Sequence, residues 1–244
     1  MAEPLWRPSP ERIAQASITE FIKSVNAGWG GNVLVDGDKM PGAQWFPDAR
    51  LNFAKNLLRR RDGSEAIVFW GEDKVRRRLT HGEFYDQVSV LAQALADVGV
   101  EPGFRIAGYI PNMPEAACAM LAAVSIGAVW SSCSPDFGVQ GVLDRFRQIE
   151  PKVLFAAEGY YYNGKTHDCL DKLADIVRQL PAAGKTPKKV VIPYMRPAPN
   201  LAGIQGAVMI GDFVAGFEPG DIAFKRMPFK ADHLNRIAVG RGKL

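Results

Sequence analysis

Short apolar runs alternate with segments of helical length through the middle of the chain, and this alternation restricts the fold more than any other feature. The predicted elements are strand Arg105–Ile110, helix Pro114–Ile126, strand Ala128–Ser131, helix Val139–Ile149, strand Val153–Ala156, helix Thr166–Leu180 and strand Lys188–Ile192. Strands that alternate with helices are typical of βαβ units, which build parallel sheets. The sequence therefore predicts an α/β fold with a mostly parallel, doubly wound sheet and flanking helices.

The loops that leave the predicted strands indicate where a ligand would bind. Because βαβ crossovers are right-handed, the carboxyl ends of successive parallel strands meet at one edge of the sheet, and ligands bind there in open α/β sheets. The loops expected at that edge are Pro111–Met113, Ser132–Gly138, Glu158–Lys165 and Pro193-Tyr194. We expect any functional site to be built from these four segments.

A hairpin and a long helix are predicted before the first strand of the sheet. Ala66–Trp70 and Val75–Leu79 flank a short polar turn, which is the spacing of a β-hairpin. Thr80 and Glu83 then form a capping box, followed by an amphipathic helix that ends at Gly99.

The amino-terminal region carries weaker signals. Ser17 and Glu20 form another capping box, which predicts a helix that ends at Gly28. Residues 29–50 show no sustained hydrophobic period, which predicts an irregular arm. A short helix is expected over Asn52–Arg60.

Composition limits the class of protein. With 244 residues, 47% of them hydrophobic, the chain can bury a sizeable core. A net charge of +4 suits anionic ligands such as nucleotides, but the excess is too small and too dispersed to predict nucleic acid binding. No segment has the length and apolarity of a membrane span, and no targeting segment opens the sequence.

The cysteines and histidines argue against disulfides and metal sites. Three cysteines lie at wide spacing, without a CxxC pair, which predicts a reducing compartment and therefore a cytoplasmic protein. The three histidines are scattered and lack the spacing of metal ligands, so no metal site is predicted.

The segment Ser131–Gly138 is a candidate anion-binding loop. It leaves a strand and enters a helix, where hydroxyl groups and backbone N–H groups can hold an anion. The alternative is that Ser134 and Asp136 only cap the helix. Residue types alone favour the capping alternative.

The segment Tyr160–Lys165 is a second candidate. Its three tyrosines offer aromatic faces and its lysine offers a phosphate contact, which together suit a nucleotide-like group. The alternative is a surface turn anchored by a tyrosine. No catalytic residue is predicted, because no nucleophile elbow or HExxH motif occurs and Cys133 has no histidine nearby in sequence.

Three of these segments also carry a family resemblance. The run Ile126–Val139, its continuation through Pro151–Phe155, and Gly159–Lys165 resemble the acetoacetyl-CoA synthetases, which are acid–thiol ligases of the adenylate-forming superfamily. Upstream, Trp45-Phe46-Pro47 and Leu51–Ala54 resemble the opening segment of that superfamily. The resemblance extends from about Trp6 to Phe229.

The resemblance implies a reaction in two steps. Acetoacetate and ATP, with Mg²⁺, give an acyl-adenylate and pyrophosphate, and the thiol of CoA then displaces AMP. By position, the resemblance implies that CoA is held by two loops and assigns no catalytic residue. The residues implied are Ser134, Pro135, Asp136, Tyr161 and Lys165.

The resemblance also divides the chain. It implies an amino-terminal helical and irregular arm over residues 1–65, an incomplete α/β adenylate-forming domain over residues 66–229, and a tail over residues 230–244 without a family counterpart. The ATP phosphate loop of the family is not matched, so we expect a truncated chain without adenylation activity of its own. Two alternatives stay open: a non-catalytic CoA- or nucleotide-binding module, and an unstable gene fragment.

Overall fold

The computed structural model describes residues 32–180 and 187–228. The chain divides into two compact units, one formed by residues 1–52 and 226–230 and the other by residues 53–225 and 231–244. The predicted helix over Ser17–Gly28 and the predicted tail lie outside the described residues. The domain boundaries at residues 65 and 229 stay predictions.

The smaller unit contains two short antiparallel pairs. Strand β1 (Leu34–Val35) pairs with β2 (Gln44–Trp45), and β3 (Arg50–Leu51) pairs with β13 (Met227–Pro228). The Asn32 side chain donates a hydrogen bond to the Asp48 carboxylate at 2.9 Å.

The larger unit is built on a five-stranded parallel sheet. Its strands are β6 (Arg105–Tyr109), β7 (Val129–Cys133), β8 (Val153–Ala157), β11 (Lys188–Ile192) and β12 (Ala207–Met209). They lie in the spatial order β12-β11-β8-β6-β7, and every neighbouring pair is parallel. From β6 the chain adds β7 on one side, and it then adds β8, β11 and β12 in turn on the other side. This reversal between β6 and β8 is the topological switch point at which α/β sheets bind ligands.

Helices cover both faces of the sheet. They are α1 (Phe53–Leu57), α2 (His81–Asp97), α3 (Pro114–Ser125), α4 (Val139–Ile149), α5 (Leu170–Gln179) and α6 (Ile210–Phe213). One core packs α2 and α3 against alternate strand residues such as Ile106 and Phe155, and the other packs α4 and α5 against Ala107 and Leu154. Because side chains alternate along a strand, consecutive residues serve opposite cores. The predicted doubly wound α/β class is confirmed.

The elements upstream of the sheet also follow the sequence pattern. A hairpin forms from β4 (Glu65–Gly71) and β5 (Val75–Thr80). Both capping-box hydrogen bonds are present at the start of α2: the Glu83 N–H donates to the Thr80 hydroxyl at 3.2 Å, and the Thr80 N–H donates to the Glu83 carboxylate at 2.8 Å. The hydrogen bonds from Thr80 hold the pKa of Glu83 below its ordinary value.

The predicted helix over Thr166–Leu180 is wrong in its first turn. Strand β9 (Gly159–Tyr162) and strand β10 (Lys165–Asp168) form an antiparallel hairpin, and α5 begins only at Leu170. Asn163 and Gly164 have φ values of +51° and +70°, as a two-residue hairpin turn requires. The turn chemistry of Asn-Gly therefore determined this segment, and the expected loop Glu158–Lys165 is largely strand.

Several predicted boundaries move by one residue, and two elements change by more. Strand β7 runs to Cys133 because its backbone pairs with β6 as far as Tyr109, so the loop begins at Ser134 rather than Ser132. The helix expected over Asn52–Arg60 is shorter and covers Phe53–Leu57. Among the described residues, no helix is long and apolar enough to cross a membrane.

Candidate functional site

The loop after β7 is fixed by a residue of the neighbouring strand β6. The Tyr109 hydroxyl donates a hydrogen bond to the carbonyl oxygen of Pro135 at 2.9 Å, and both residues are buried. The Phe137 N–H donates to the carbonyl of Ser134 at 3.2 Å, and the Ser134 hydroxyl is hydrogen-bonded to the Asp136 carboxylate. These contacts hold a compact turn at the carboxyl edge of the sheet, next to the switch point.

The turn leads into α4 without capping it. Gly138 is the N-cap residue, and no side chain accepts a hydrogen bond from the first turn of the helix. The capping alternative for Ser134 and Asp136 is therefore wrong, since their side chains bond to each other. The N–H groups of the first helical turn stay available to an anion.

An aromatic ring and a cation lie beside this turn. The guanidinium carbon of Arg145 is 4.5 Å from the ring centroid of Phe137, and Arg145 Nη1 donates to the Gly141 carbonyl at 2.6 Å. The Phe137 side chain is 40% exposed, which leaves much of it open to a ligand. The sequence analysis missed this pair, although eight residues separate its members, which is about two turns of helix.

The hairpin β9–β10 presents two different faces. Tyr160 pairs with His167, and Tyr162 pairs with Lys165. Because side chains alternate along a strand, these residues share one face of the hairpin and Tyr161 lies on the other. The Tyr160 ring stacks on His167 with centroids 4.8 Å apart, whereas the Tyr161 ring packs edge-on against Tyr194 at 5.5 Å.

The first of these faces packs around Tyr109. Tyr160, Tyr109 and Cys133 belong to one buried cluster. Burial raises the pKa of Tyr160 and of Tyr109, and the Asp136 carboxylate is a further cause of both shifts. Tyr160 of the hairpin and Pro135 of the loop therefore both contact the surroundings of Tyr109, and Lys165 is an exposed residue on the hairpin face that carries Tyr160.

Tyr161 belongs to a separate aromatic cluster. Tyr194, which it contacts, also packs against Phe69 with ring centroids 6.0 Å apart, and the Arg77 guanidinium lies 5.4 Å from the Phe69 centroid. Arg77 is held by Glu115 through two hydrogen bonds of 2.5 and 2.8 Å, and the first cause of its raised pKa is this hydrogen bonding. Tyr161 therefore lies on the hairpin face opposite to Tyr160 and Lys165.

A buried carboxylate holds the loop after β11. Glu158 is fully buried and accepts backbone hydrogen bonds from Tyr194 at 3.3 Å, Met195 at 2.8 Å and Arg196 at 2.6 Å. Three successive N–H groups form an anion-binding nest, which this side chain fills. Glu158 therefore fixes Tyr194, and through it the second face of the hairpin. The sequence analysis placed Glu158 at the correct edge but gave it no role.

The cysteine next to the site is not activated. Burial raises the pKa of Cys133 above its ordinary value, so its thiol stays protonated at neutral pH. Among residues 32–180 and 187–228, no group of three or more histidine, cysteine, aspartate or glutamate side chains is arranged to hold a metal ion. The site offers binding groups: an aromatic face, two cations and helix N–H groups.

Comparisons with known proteins show what the chain resembles. A protein-family model described as AMP-binding enzyme matches residues 53–221. The acetoacetyl-coenzyme A synthetase of Rhizobium meliloti (strain 1021) is 46% identical over 225 residues, covering 92% of this chain and 34% of that protein. The acetoacetyl-CoA synthetase of Mus musculus is 42% identical over 193 residues, covering 76% of this chain and 28% of that protein.

A solved structure has the same fold. The acetoacetyl-CoA synthetase from Streptomyces lividans superposes with a TM-score of 0.74 at 37% sequence identity, covering 86% of this chain and 32% of that chain. The resemblance to acetoacetyl-CoA synthetases is confirmed by these matches. The chain spans about a third of the length of the relatives it matches.

Proposed function

Because the chain belongs to the family of AMP-binding enzymes, we propose that it forms the CoA-binding side of an acetoacetate–CoA ligase. The reaction proposed is the conversion of ATP, acetoacetate and CoA to AMP, pyrophosphate and acetoacetyl-CoA. Similarity to acetoacetyl-CoA synthetases from a bacterium and a mouse, and to a solved structure of another, supports this choice of acid.

The observation that carries the proposal is that the loop Ser134–Asp136 and Tyr160 of the hairpin both pack around Tyr109. Both segments leave the carboxyl ends of strands on either side of β6, where open α/β sheets bind ligands. CoA carries an adenine base and several phosphate groups, so its recognition needs a flat apolar surface and cations.

The residues present fit those two needs. We assign the adenine base to the exposed ring of Phe137, on which a flat base can stack. The phosphates are assigned to Arg145, to Lys165 and to the uncapped N–H groups of α4. Ser134, Pro135 and Asp136 form the floor of this site, and the Asp136 carboxylate is an acceptor for an amino group of the base.

Tyr161 keeps a place in the proposal with a different role. Its ring packs on Tyr194, which Glu158 holds through backbone hydrogen bonds. Tyr161 therefore positions the hairpin that carries Lys165, and the lysine contacts the ligand.

The chemistry proposed for these residues is binding and orientation. They hold the nucleotide end of CoA so that its thiol reaches the acyl-adenylate, and an ordered site of this kind raises the effective concentration of the thiol. For ATP and Mg²⁺, which the reaction requires, the described residues offer no metal-binding group of three, and the ATP phosphate loop is not matched in the sequence. We therefore derive no adenylation step from this chain.

The remaining parts of the proposal concern the setting of the protein. We propose small-molecule substrates, no nucleic acid partner and a cytoplasmic location. The supporting observations are the modest net charge of +4 and three cysteines that are all free thiols.

Calorimetric titration of the purified chain with CoA tests the proposal. Arg145→Met and Lys165→Met each remove one cation from the site and should weaken CoA binding about tenfold, which is the usual effect of losing one charge-assisted hydrogen bond. Arg147→Met is a matched control on the same helix, because Arg147 is exposed and donates to the Gln179 carbonyl. Equal CoA affinity in all four proteins would refute the assignment, as would the absence of binding to the wild type.

A further inference from the structure

A cavity of about 550 Å³ lies at the opposite edge of the sheet, where the strands begin. Its lining includes four cationic side chains, one carboxylate and one aromatic ring. They are Arg105, Lys152, Lys188, Lys189, Glu150 and Phe104. Ligand sites for small molecules have volumes of roughly 300 to 1,000 Å³, so this cavity has a suitable size.

Three of the cations form a row across adjacent strands. Arg105 begins β6, Lys152 directly precedes β8 and Lys188 begins β11. The Lys152 N–H donates to the Arg105 carbonyl at 2.7 Å, and the Lys188 N–H donates to the Lys152 carbonyl at 2.9 Å. Because Lys188 pairs with Val153, its side chain leaves the opposite face of the sheet from Arg105 and Lys152, and all three line the cavity at the edge where the strands begin.

The fourth cation has a mostly buried side chain. Lys189 is only 9% exposed, and within the described residues no hydrogen bond or ion pair reaches its ammonium group. Burial, with the neighbouring Lys188 charge, lowers the pKa of Lys189. The nitrogen atom itself is not fully buried, so the ammonium can reach an anion in the cavity.

The described lining residues carry more positive than negative charge. Glu150 is the one carboxylate among them, and four of them are cations. Arg105 is held in place because its Nε donates to the Ile149 carbonyl at 2.6 Å, and Lys152 Nζ lies 5.9 Å from the Phe104 ring. The cavity therefore keeps an excess of positive charge at fixed positions.

We propose that this cavity is a binding site for a phosphate-bearing small molecule, with Lys189 as its buried anchor and Arg105, Lys152 and Lys188 around its rim. The phosphate group lies among the cations, and the volume beside Phe104 accepts an apolar or aromatic group attached to it. This site lies at the amino ends of the strands, whereas the proposed CoA site lies at their carboxyl ends. It does not depend on the proposed ligase function.

Binding of inorganic pyrophosphate to the full chain tests the proposal. Calorimetry and thermal unfolding measure this binding, with chloride salt used to keep the ionic strength constant. Lys189→Met removes the anchor and nearly preserves its volume. Lys172→Met is the matched control, because Lys172 is an exposed lysine in the first turn of α5, outside the cavity. We expect pyrophosphate to stabilise the wild type and the control equally, and to bind Lys189→Met at least about tenfold more weakly.

Two results would overturn the proposal: no stabilisation of the wild type by pyrophosphate, or equal pyrophosphate affinity in the wild type and Lys189→Met. Thermal unfolding without the anion shows whether the variant folds. Arg145→Met should retain pyrophosphate binding, which separates this site from the proposed CoA site.

A second titration tests the apolar part of the site. AMP carries a single phosphate on a ribose that also bears a flat base, so we expect it to bind at least as tightly as inorganic phosphate. Weaker binding of AMP than of inorganic phosphate would contradict a site that accepts an attached group.

Discussion

The buried hydroxyl of Tyr109 donates a hydrogen bond of 2.9 Å to the carbonyl oxygen of Pro135. Tyr109 lies in strand β6 and Pro135 in the loop after the neighbouring strand β7. The conformation of the proposed CoA-binding loop therefore depends on a core residue that does not belong to the loop.

Tyr109→Phe should weaken both folding and CoA binding. The substitution leaves the buried Pro135 carbonyl without its donor, which costs about 1 to 3 kcal/mol. We expect that loss in the free energy of unfolding in urea, together with reduced CoA affinity. Tyr162→Phe is the control, because Tyr162 is 67% exposed. If Tyr109→Phe unfolds at the same urea concentration as the wild type, the bond has no structural role.

Glu158→Gln should destabilise the loop after β11. The amide keeps one acceptor oxygen but loses the charge that strengthens three backbone hydrogen bonds. We expect a loss of about 1 to 3 kcal/mol in urea unfolding and faster proteolysis near Arg196. Asp168→Asn is a matched comparison, because Asp168 pairs with the same arginine on the surface at 2.5 Å.

The exposed ion pair between Asp168 and Arg196 should contribute far less to stability. Surface ion pairs contribute about 0 to 1 kcal/mol, so Asp168→Asn should lie within that range. Equal losses in the free energy of unfolding for Glu158→Gln and Asp168→Asn would contradict a larger contribution to stability from the buried Glu158 hydrogen bonds.

Gly71→Ala should disturb the aromatic cluster around Tyr194. A methyl group at Gly71 would overlap the Tyr194 hydroxyl, whereas nothing lies within 4 Å of a methyl group at Gly63. Overpacking costs about 1 to 3 kcal/mol, so the melting temperature should fall for Gly71→Ala and stay unchanged for Gly63→Ala. A melting temperature for Gly71→Ala equal to that of Gly63→Ala would contradict the packing described for Tyr194.

Folding should weaken at alkaline pH. Burial raises the pKa of Cys118 and of Cys169 from 9.0 to about 12, and burial raises the pKa of Tyr109 as well. Above pH 9 the unfolded thiols lose their protons while the folded thiols keep them. Stability is therefore complete below pH 9 and declines as the pH rises toward 12, by up to about 1.4 kcal/mol per pH unit for each thiol.

Urea unfolding at several pH values from 7 to 10.5 measures this decline. Cys118→Ala removes one of the groups and should give a shallower slope above pH 9. A wild-type free energy of unfolding that stays constant over this range would contradict the burial of these groups.

Hydrophobic periodicity was sufficient to predict four of the five strands of the sheet, but not β12 (Ala207–Met209), which is only three residues long. Helix Val139–Ile149 and strand Lys188–Ile192 have the predicted bounds, because Gly138 and Glu150 flank the helix and two prolines flank the strand. The segment after Tyr162 was predicted wrongly because Thr166, His167 and Asp168 are compatible with the first turn of a helix. The Asn163-Gly164 pair instead forms a hairpin turn, which makes these residues a strand. This turn signal is present in the sequence, but the helical pattern that follows it was given more weight in the prediction.

The site was predictable only as a location. Parallel topology placed the loop after Ser132 and the tyrosine segment at one edge, and the structure agrees. Which tyrosine faces the loop could not be predicted until Tyr160 and Tyr161 were known to lie in a strand, where neighbours face opposite ways. The contacts of Glu158 join residues 36 to 38 positions apart, and such pairs are set by tertiary packing rather than by sequence pattern.

The position of CoA bound to this chain tests the account most directly, and a crystal structure of the complex would measure it. We predict that the base lies against the Phe137 ring and that phosphate oxygens lie within hydrogen-bonding distance of Arg145 or Lys165. CoA bound only at the amino ends of the strands, or bound without contact to the Ser134–Asp136 loop, would contradict the assignment.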